Sequence, residues 1–182
     1  PSITPTPSPA SAPSPSDPTL VSWYDASTNA DFQPTTPASG TNISNWNDHS
    51  VNGANLGTAG GGKPEYFSNV QNGLGGVFFN GTSMYLNASI AGSLASKTNA
   101  SFVVVAKPLS AGGSQTIVAA SNGSTPASAY YLSILKNNYR IAMASGVAIA
   151  SATTVDTNAH VHVITFDGAQ SGNARMTYRL DG

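Results

Sequence analysis

The chain has 182 residues, 40% of them apolar, enough for one domain with a sizeable core and a tail. Charged residues make up only 8%, against roughly a quarter in an average soluble domain, and the net charge is −1. That balance excludes a basic patch for nucleic acid, and the lack of cysteine excludes a disulfide framework, a thiolate metal site and a cysteine nucleophile.

Solubility has to come from Ser, Thr, Asn and Gly, a composition that suits an extracellular surface. No run approaches the ~18 apolar residues of a membrane helix. The chain does not start with Met and carries no signal peptide, so a longer protein is expected around it.

Residues 1–19 read as a linker. Pro1 to Pro18 holds seven of the twelve prolines, interleaved with Ser and Thr. Proline fixes φ and removes a donor, so an extended, disordered spacer is expected, suited to a surface stalk.

Residues 20–182 read as one all-β domain. "LVSWY" (Leu20 to Tyr24) opens a series of short extended runs separated by Gly, Asn, Ser and Thr. In "NISNWNDHSVNGAN" (Asn42 to Asn55) an aromatic meets an acid and a histidine at a polar turn. Trp46 is expected in the core with a partner for its indole N–H, and Asp48 is expected to cap a turn through Ser50. His49 is then left exposed. The rival reading has Asp48 and His49 gripping a ligand.

"GVFFN" (Gly76 to Asn80) and "MYLNA" (Met84 to Ala88) flank a polar turn. "SIAGSLAS" (Ser89 to Ser96) spaces Ile90 and Leu94 for one or two helical turns. "SFVVVAK" (Ser101 to Lys107) is continuous and β-branched, which predicts a strand buried on both faces. "QTIVAA", "YYLSILK", "YRIAMAS" and "VHVITFDG" follow as strands. "RMTYRLDG" alternates Met176, Tyr178 and Leu180 against Arg175, Thr177 and Arg179. An antiparallel β-sandwich follows, with Trp23, Trp46, Phe79 and Tyr85 as core aromatics. Asp181-Gly182 is a favoured hairpin pair at the end of the chain, so further strands and an open sheet edge are expected.

"LVSWYDAS", "NISNWNDHSVNGAN", "KPEY", "GLGGVFFNGTSMYL" and "SFVVVAKP" come in that order. The series resembles the laminin-G-like, concanavalin A-like jelly-roll superfamily of lectins and glucanases, as found in bacterial surface proteins. The residues that carry the likeness are Trp23, Tyr24, Asp25, Trp46, Asn47, Asp48, Ser50, Asn52, Gly53, Pro64, Tyr66, Phe79, Gly81, Tyr85 and Leu86. The resemblance implies a jelly roll with strands beyond Gly182. Its relatives include lectins, adhesins, glycanases and spacers, so it fixes no one function. Many relatives carry two acids in the hairpin before the aromatic. Ser83 and Met84 stand there, which weakens the calcium site that the resemblance would allow.

Catalytic chemistry finds little support. Glycanases of this kind use paired carboxylates on one strand. This chain has a single glutamate, Glu65, and its aspartates, among them Asp25, Asp31, Asp48, Asp167 and Asp181, sit beside turn residues. No "G-x-S-x-G" elbow and no phosphate-binding loop occur. His160 and His162 point to one face of a strand and offer half a metal site. The plainer reading is two imidazoles on a half-exposed strand. Sequons begin at Asn42, Asn80, Asn87, Asn99 and Asn122.

The function expected is a secreted or cell-surface binding or adhesion module, without catalysis or cofactor, on a proline-rich stalk. Its ligand would be an extracellular glycan or protein. Loops 29–40 and 121–129 are plausible lips for a ligand. Two alternatives are a structural or filament-forming subunit that self-associates through an open edge, and an accessory module of a secreted glycan-active hydrolase. Neither nucleic acid nor membrane insertion is expected.

Overall fold

The computed structural model describes residues 13–27, 31–33, 37–58, 60–89, 98–112, 114–121, 129–135, 138–143 and 148–182. Most of the linker, the expected helical turns from Ile90, part of the expected lip 29–40 and most of the lip 121–129 therefore lie outside the described residues. What is described is all-β, and every pairing between its strands is antiparallel. Among the described residues no helix is long and apolar enough to cross a membrane. The chain divides into two compact units, Pro1–Phe79 with Met84–Ser89, and Asn80–Ser83 with Ile90–Gly182.

The first unit has two small sheets. One is ordered β1-β3-β4, from Phe32–Gln33, Asn45–Trp46 and Leu56–Gly57. The other is ordered β2-β5-β6, from Thr41–Asn42, Glu65–Gln71 and Leu74–Phe78. Asn72-Gly73 joins β5 to β6 with φ of 52° and 81°, the paired left-handed residues that a tight hairpin needs. Phe32, Ile43 and Tyr66 form the core, and Ala26, Trp46, Val77 and Leu86 pack against it. The rings of Phe32, Trp46 and Tyr66 stack in tilted pairs 5.4 and 5.0 Å apart. Each such ring contributes about 2 kcal/mol by leaving water.

Three expectations are corrected in this unit. Leu20 to Tyr24 forms no ladder strand; its backbone is tied to the Asp48 loop. Phe79 and Tyr85 are 37% and 45% exposed and do not belong to the core. Met84 and Asn87 bridge back to Gly62 and Gly57 instead of pairing with the run that ends at Asn80. A sequence pattern marks these aromatics as strand residues but does not say which face is covered. The last linker residues make consecutive turns, with the Asp17 N–H on the Ser14 carbonyl and the Leu20 N–H on that of Asp17.

The second unit holds a four-stranded sheet, ordered β11-β10-β9-β8, and a three-stranded sheet, ordered β13-β12-β7. Their strands are β7 Asn99–Ala106, β8 Ser114–Ser121, β9 Ala129–Leu135, β10 Asn138–Met143, β11 Ala148–Thr154, β12 His160–Asp167 and β13 Met176–Leu180. A 3-10 turn, Gly172–Arg175, leads into β13. β7 and β12 keep one continuous register from His160 opposite Ala106 to Asp167 opposite Asn99. The sheets enclose Ile141 of β10, Ile164 and Phe166 of β12 and Met176 of β13, with Phe102, Val104, Ile117 and Val118 around them. The arrangement is sandwich-like, and the expected alternation along β13 holds, Met176 buried and Thr177 and Arg179 exposed.

β7 departs from expectation. It alternates between covered and open positions, and its outward Val103 and Val105 are 68% and 70% exposed. Its outward positions are open while the inward ones are covered, and a continuous apolar run cannot report that.

Candidate functional site

Two polar clusters draw together the residues that the sequence singles out. In the first unit, Asp48 is the centre. Its Oδ1 accepts the backbone N–H of Trp23 at 2.8 Å and of Ser50 at 2.9 Å. Its Oδ2 accepts the Ser50 hydroxyl at 2.7 Å and the Ala54 N–H at 2.9 Å. Burial alone would raise the carboxyl, but these four donors together hold it below the usual carboxylate range. The Asx turn through Ser50 is as expected, while the bond to Trp23 spans 25 residues.

The rest of the loop is equally tied. Asn52 donates to the Leu20 and Val21 carbonyls, and the Asn55 side chain accepts the Asp48 N–H. The Trp46 indole N–H donates to the Asp25 carbonyl at 2.9 Å, the partner that a partly buried Trp requires. Trp23 is half-buried, with its ring 5.0 Å from that of His49, outside the Phe32 cluster. His49 is 32% exposed, not free in solvent as expected. Its Nε2 lies 3.0 Å from Asp31 Oδ1, though alignment falls short of a hydrogen bond. Of the proposed gripping pair, Asp48 is therefore spent on its own backbone, and His49 faces Asp31.

The second cluster sits where β10, β12 and β13 meet. His160 spans two carboxylates, with Nδ1 2.7 Å from Asp181 Oδ2 and Nε2 2.9 Å from Asp156 Oδ1. Asp181 has φ of 59°, and its other oxygen accepts the Val161 N–H at 2.9 Å. The carboxylates of Asp181 and Asp156 raise the His160 imidazole above its ordinary value. Both acids are lowered, Asp181 first by the Val161 N–H and Asp156 first by the Asn158 N–H, and each further by His160.

His162, two residues on, is fully buried. Its Nδ1 meets the Tyr178 hydroxyl at 2.9 Å, while Nε2 has no partner among the described residues. Tyr139 is also fully buried, its ring edge-on to His162 with centroids 4.6 Å apart, and its hydroxyl likewise bonds to nothing among the described residues. Val155, Ala111, Ile117 and Leu180 complete the apolar surround. Burial and the nearby His160 push His162 down to about 4, and burial pushes the Tyr178 phenol up.

This corrects the reading of two imidazoles on a half-exposed strand. His162 shares its strand face with Ile164 and Phe166, so it goes into the core with them. Nor do the two rings converge on a common point. They lie 6.4 Å apart at 73°, and both nitrogens of His160 are taken by carboxylates. Among the described residues no group of three or more His, Cys, Asp or Glu is arranged to hold a metal ion.

The sequence reading missed Tyr139, Tyr178 and Asp156 as members of this cluster. The signal for Tyr178 was present. It alternates inward on β13, and the register that sets His162 opposite Leu180 makes it a diagonal neighbour. The other aspartates behave as turn formers. Asp17, Asp25, Asp156 and Asp167 each accept the backbone N–H two residues on. Ser83 and Met84, at positions often acidic in the resembled family, serve locally. The Ser83 N–H and hydroxyl bond the Asn80 side chain, and Met84 bridges to Gly62. Compared with models of protein families, with curated proteins and with solved structures, the chain finds no match.

Proposed function

We propose that the chain is a non-catalytic binding or adhesion module of the laminin-G-like, concanavalin A-like jelly-roll kind, displayed outside the cell on its proline-rich stalk. The observation that carries this reading is the outer face of β7 and β12. Val103 and Val105 are 68% and 70% exposed, and Val161, opposite Val105, is 39% exposed. Val163 lies opposite Val103 and completes a square of methyl groups. An exposed apolar patch on a soluble surface is a common mark of an interaction site. Among the described residues the valine patch is aliphatic and offers no aromatic ring for a sugar to stack on, so it favours a protein ligand. A glycan would use the Trp23–His49 pair instead.

Arrays of glycans and of surface proteins, probed with the native chain and with Val103→Lys/Val105→Lys, test the reading. The charged variant should lose a protein ligand at least tenfold while its melting temperature stays within about 1 °C, as for most exposed sites. A glycan signal that survives this variant but not His49→Ala would move the site to Trp23. Silence on every array would end the proposal.

A second reading has its own observation. Among the described residues β7 is the end strand of its sheet, long, valine-rich and free of Pro and Gly. Such an edge suits strand addition from a second copy, as in a filament-forming subunit. Light scattering across concentration decides this, since a monomer throughout would exclude it.

A further inference from the structure

The corner of β10, β12 and β13 combines two histidines in opposite situations. We propose that this corner is an acid-sensitive latch, closed by His160 between two carboxylates and opened when the buried His162 takes up a proton. The proposal goes beyond ligand binding and does not depend on it.

The geometry supplies both halves. Asp156 lies in the turn between β11 and β12, and Asp181 directly follows β13. His160, at the start of β12, pins both through opposite ring nitrogens. A protonated ring donates from both nitrogens at once, so protonation tightens this clasp. Among the described residues His162 has one partner, the Tyr178 hydroxyl, and an unpartnered Nε2 in a fully buried position. A cation there would need a second acceptor. The groups facing it are the Tyr139 ring from β10, the Tyr178 phenol from β13 and His160 from its own strand. Asp181 and Asp156 are engaged by His160. Lys107 follows β7 on the open side, and Arg179 alternates to the exposed face of β13. Arg140 is next to Tyr139 and alternates to the other face of β10. Among the described residues no anion bonds His162; the Asp181 carboxylate favours its charge through space, but burial and the repulsion of His160 outweigh it.

The pH windows follow from the directions of shift. His160 is raised, so its contribution is full below about 6.5 and is lost as pH rises through its folded value. His162 is lowered to about 4, so its contribution is full above about 6.5 and is lost as pH falls from 6.5 towards 4. Asp156 and Asp181 are lowered, so their contribution is full above about 3.8 and is lost only as pH falls below it. The windows adjoin, and the corner is tightest near pH 6.5. Below that, each pH unit raises the opening constant about tenfold until about pH 4.

Amide exchange of β12 and β13 in the native chain, read from pH 7.5 to 4, tests this directly. Protection of Ile164 and Tyr178, after correction for intrinsic exchange, should peak near pH 6.5 and fall about tenfold per unit below it. His162→Gln should flatten the acid limb, and His160→Gln should remove the decline above pH 6.5 while keeping the acid limb. A His162 ring titrating near 6.5 by NMR, in the native chain, would overturn the proposal even if neither variant folds. So would an acid limb unchanged in His162→Gln.

Discussion

The Asp48 loop and the His160–His162 corner are built from the same polar vocabulary and reach opposite ends. In the loop, four donors converge on one carboxylate and the indole N–H of Trp46 finds a carbonyl. In the corner, two buried polar atoms, His162 Nε2 and the Tyr139 hydroxyl, have no partner among the described residues. A completed network fixes a conformation, whereas an incomplete one leaves it conditional on protonation. The loop can be read as scaffold, and the corner as the place where conditions in solution reach the core.

The largest effect that would break this contrast comes from Asp48→Ala. It strands the N–H groups of Trp23, Ser50 and Ala54 together, so a loss on the order of 3 kcal/mol is expected in urea unfolding. Asp48→Asn should recover part of it, because one amide oxygen remains to accept. The Asp48 carboxyl is held low, so its contribution is present at neutral pH and is lost as pH falls through its folded value, below about 3.8. A loss in Asp48→Ala below about 1 kcal/mol would mean that the loop is not held by this carboxylate.

Two phenylalanine substitutions of intermediate size sharpen the contrast by differing in sign. Tyr178→Phe removes the one partner of His162 and should cost about 1–2 kcal/mol. Tyr139→Phe removes a buried hydroxyl that bonds to nothing among the described residues, and should be neutral or stabilising by up to about 1 kcal/mol. Thermal unfolding at pH 7 separates them. Equal losses in both would show that the two hydroxyls are equally satisfied, and the corner would then match the loop.

How much of this was legible in the sequence follows the distance over which each interaction acts. The Ser50 end of the Asp48 network was readable because an Asx turn spans two residues. Its Trp23 end was not, since no local pattern announces a partner 25 residues away. The antiparallel all-β character and most strands of the second unit were visible as runs, but β11, an Ala, Ser and Thr run with one Ile and no aromatics, was not singled out. Burial was the weakest part. His162 was in phase with Ile164 and Phe166, yet its polarity outweighed its parity in the reading. Val103 and Val105 erred the other way, because apolar identity says nothing about whether a second layer covers the strand.

The smallest expected effect lies at His49, where the two clusters can be compared at a single residue. Like His162, it has a ring nitrogen withdrawn from solvent without a hydrogen bond, and like His160, it faces a carboxylate. Unlike His162, its side chain is 32% exposed, so water reaches the ring. His49→Gln should therefore change stability by no more than about 0.5 kcal/mol at pH 7 and leave the acid limb of the unfolding profile in place. A larger loss, or an acid limb that vanishes with His49, would mean that burial of the ring, and not completion of its hydrogen bonds, separates the three histidines.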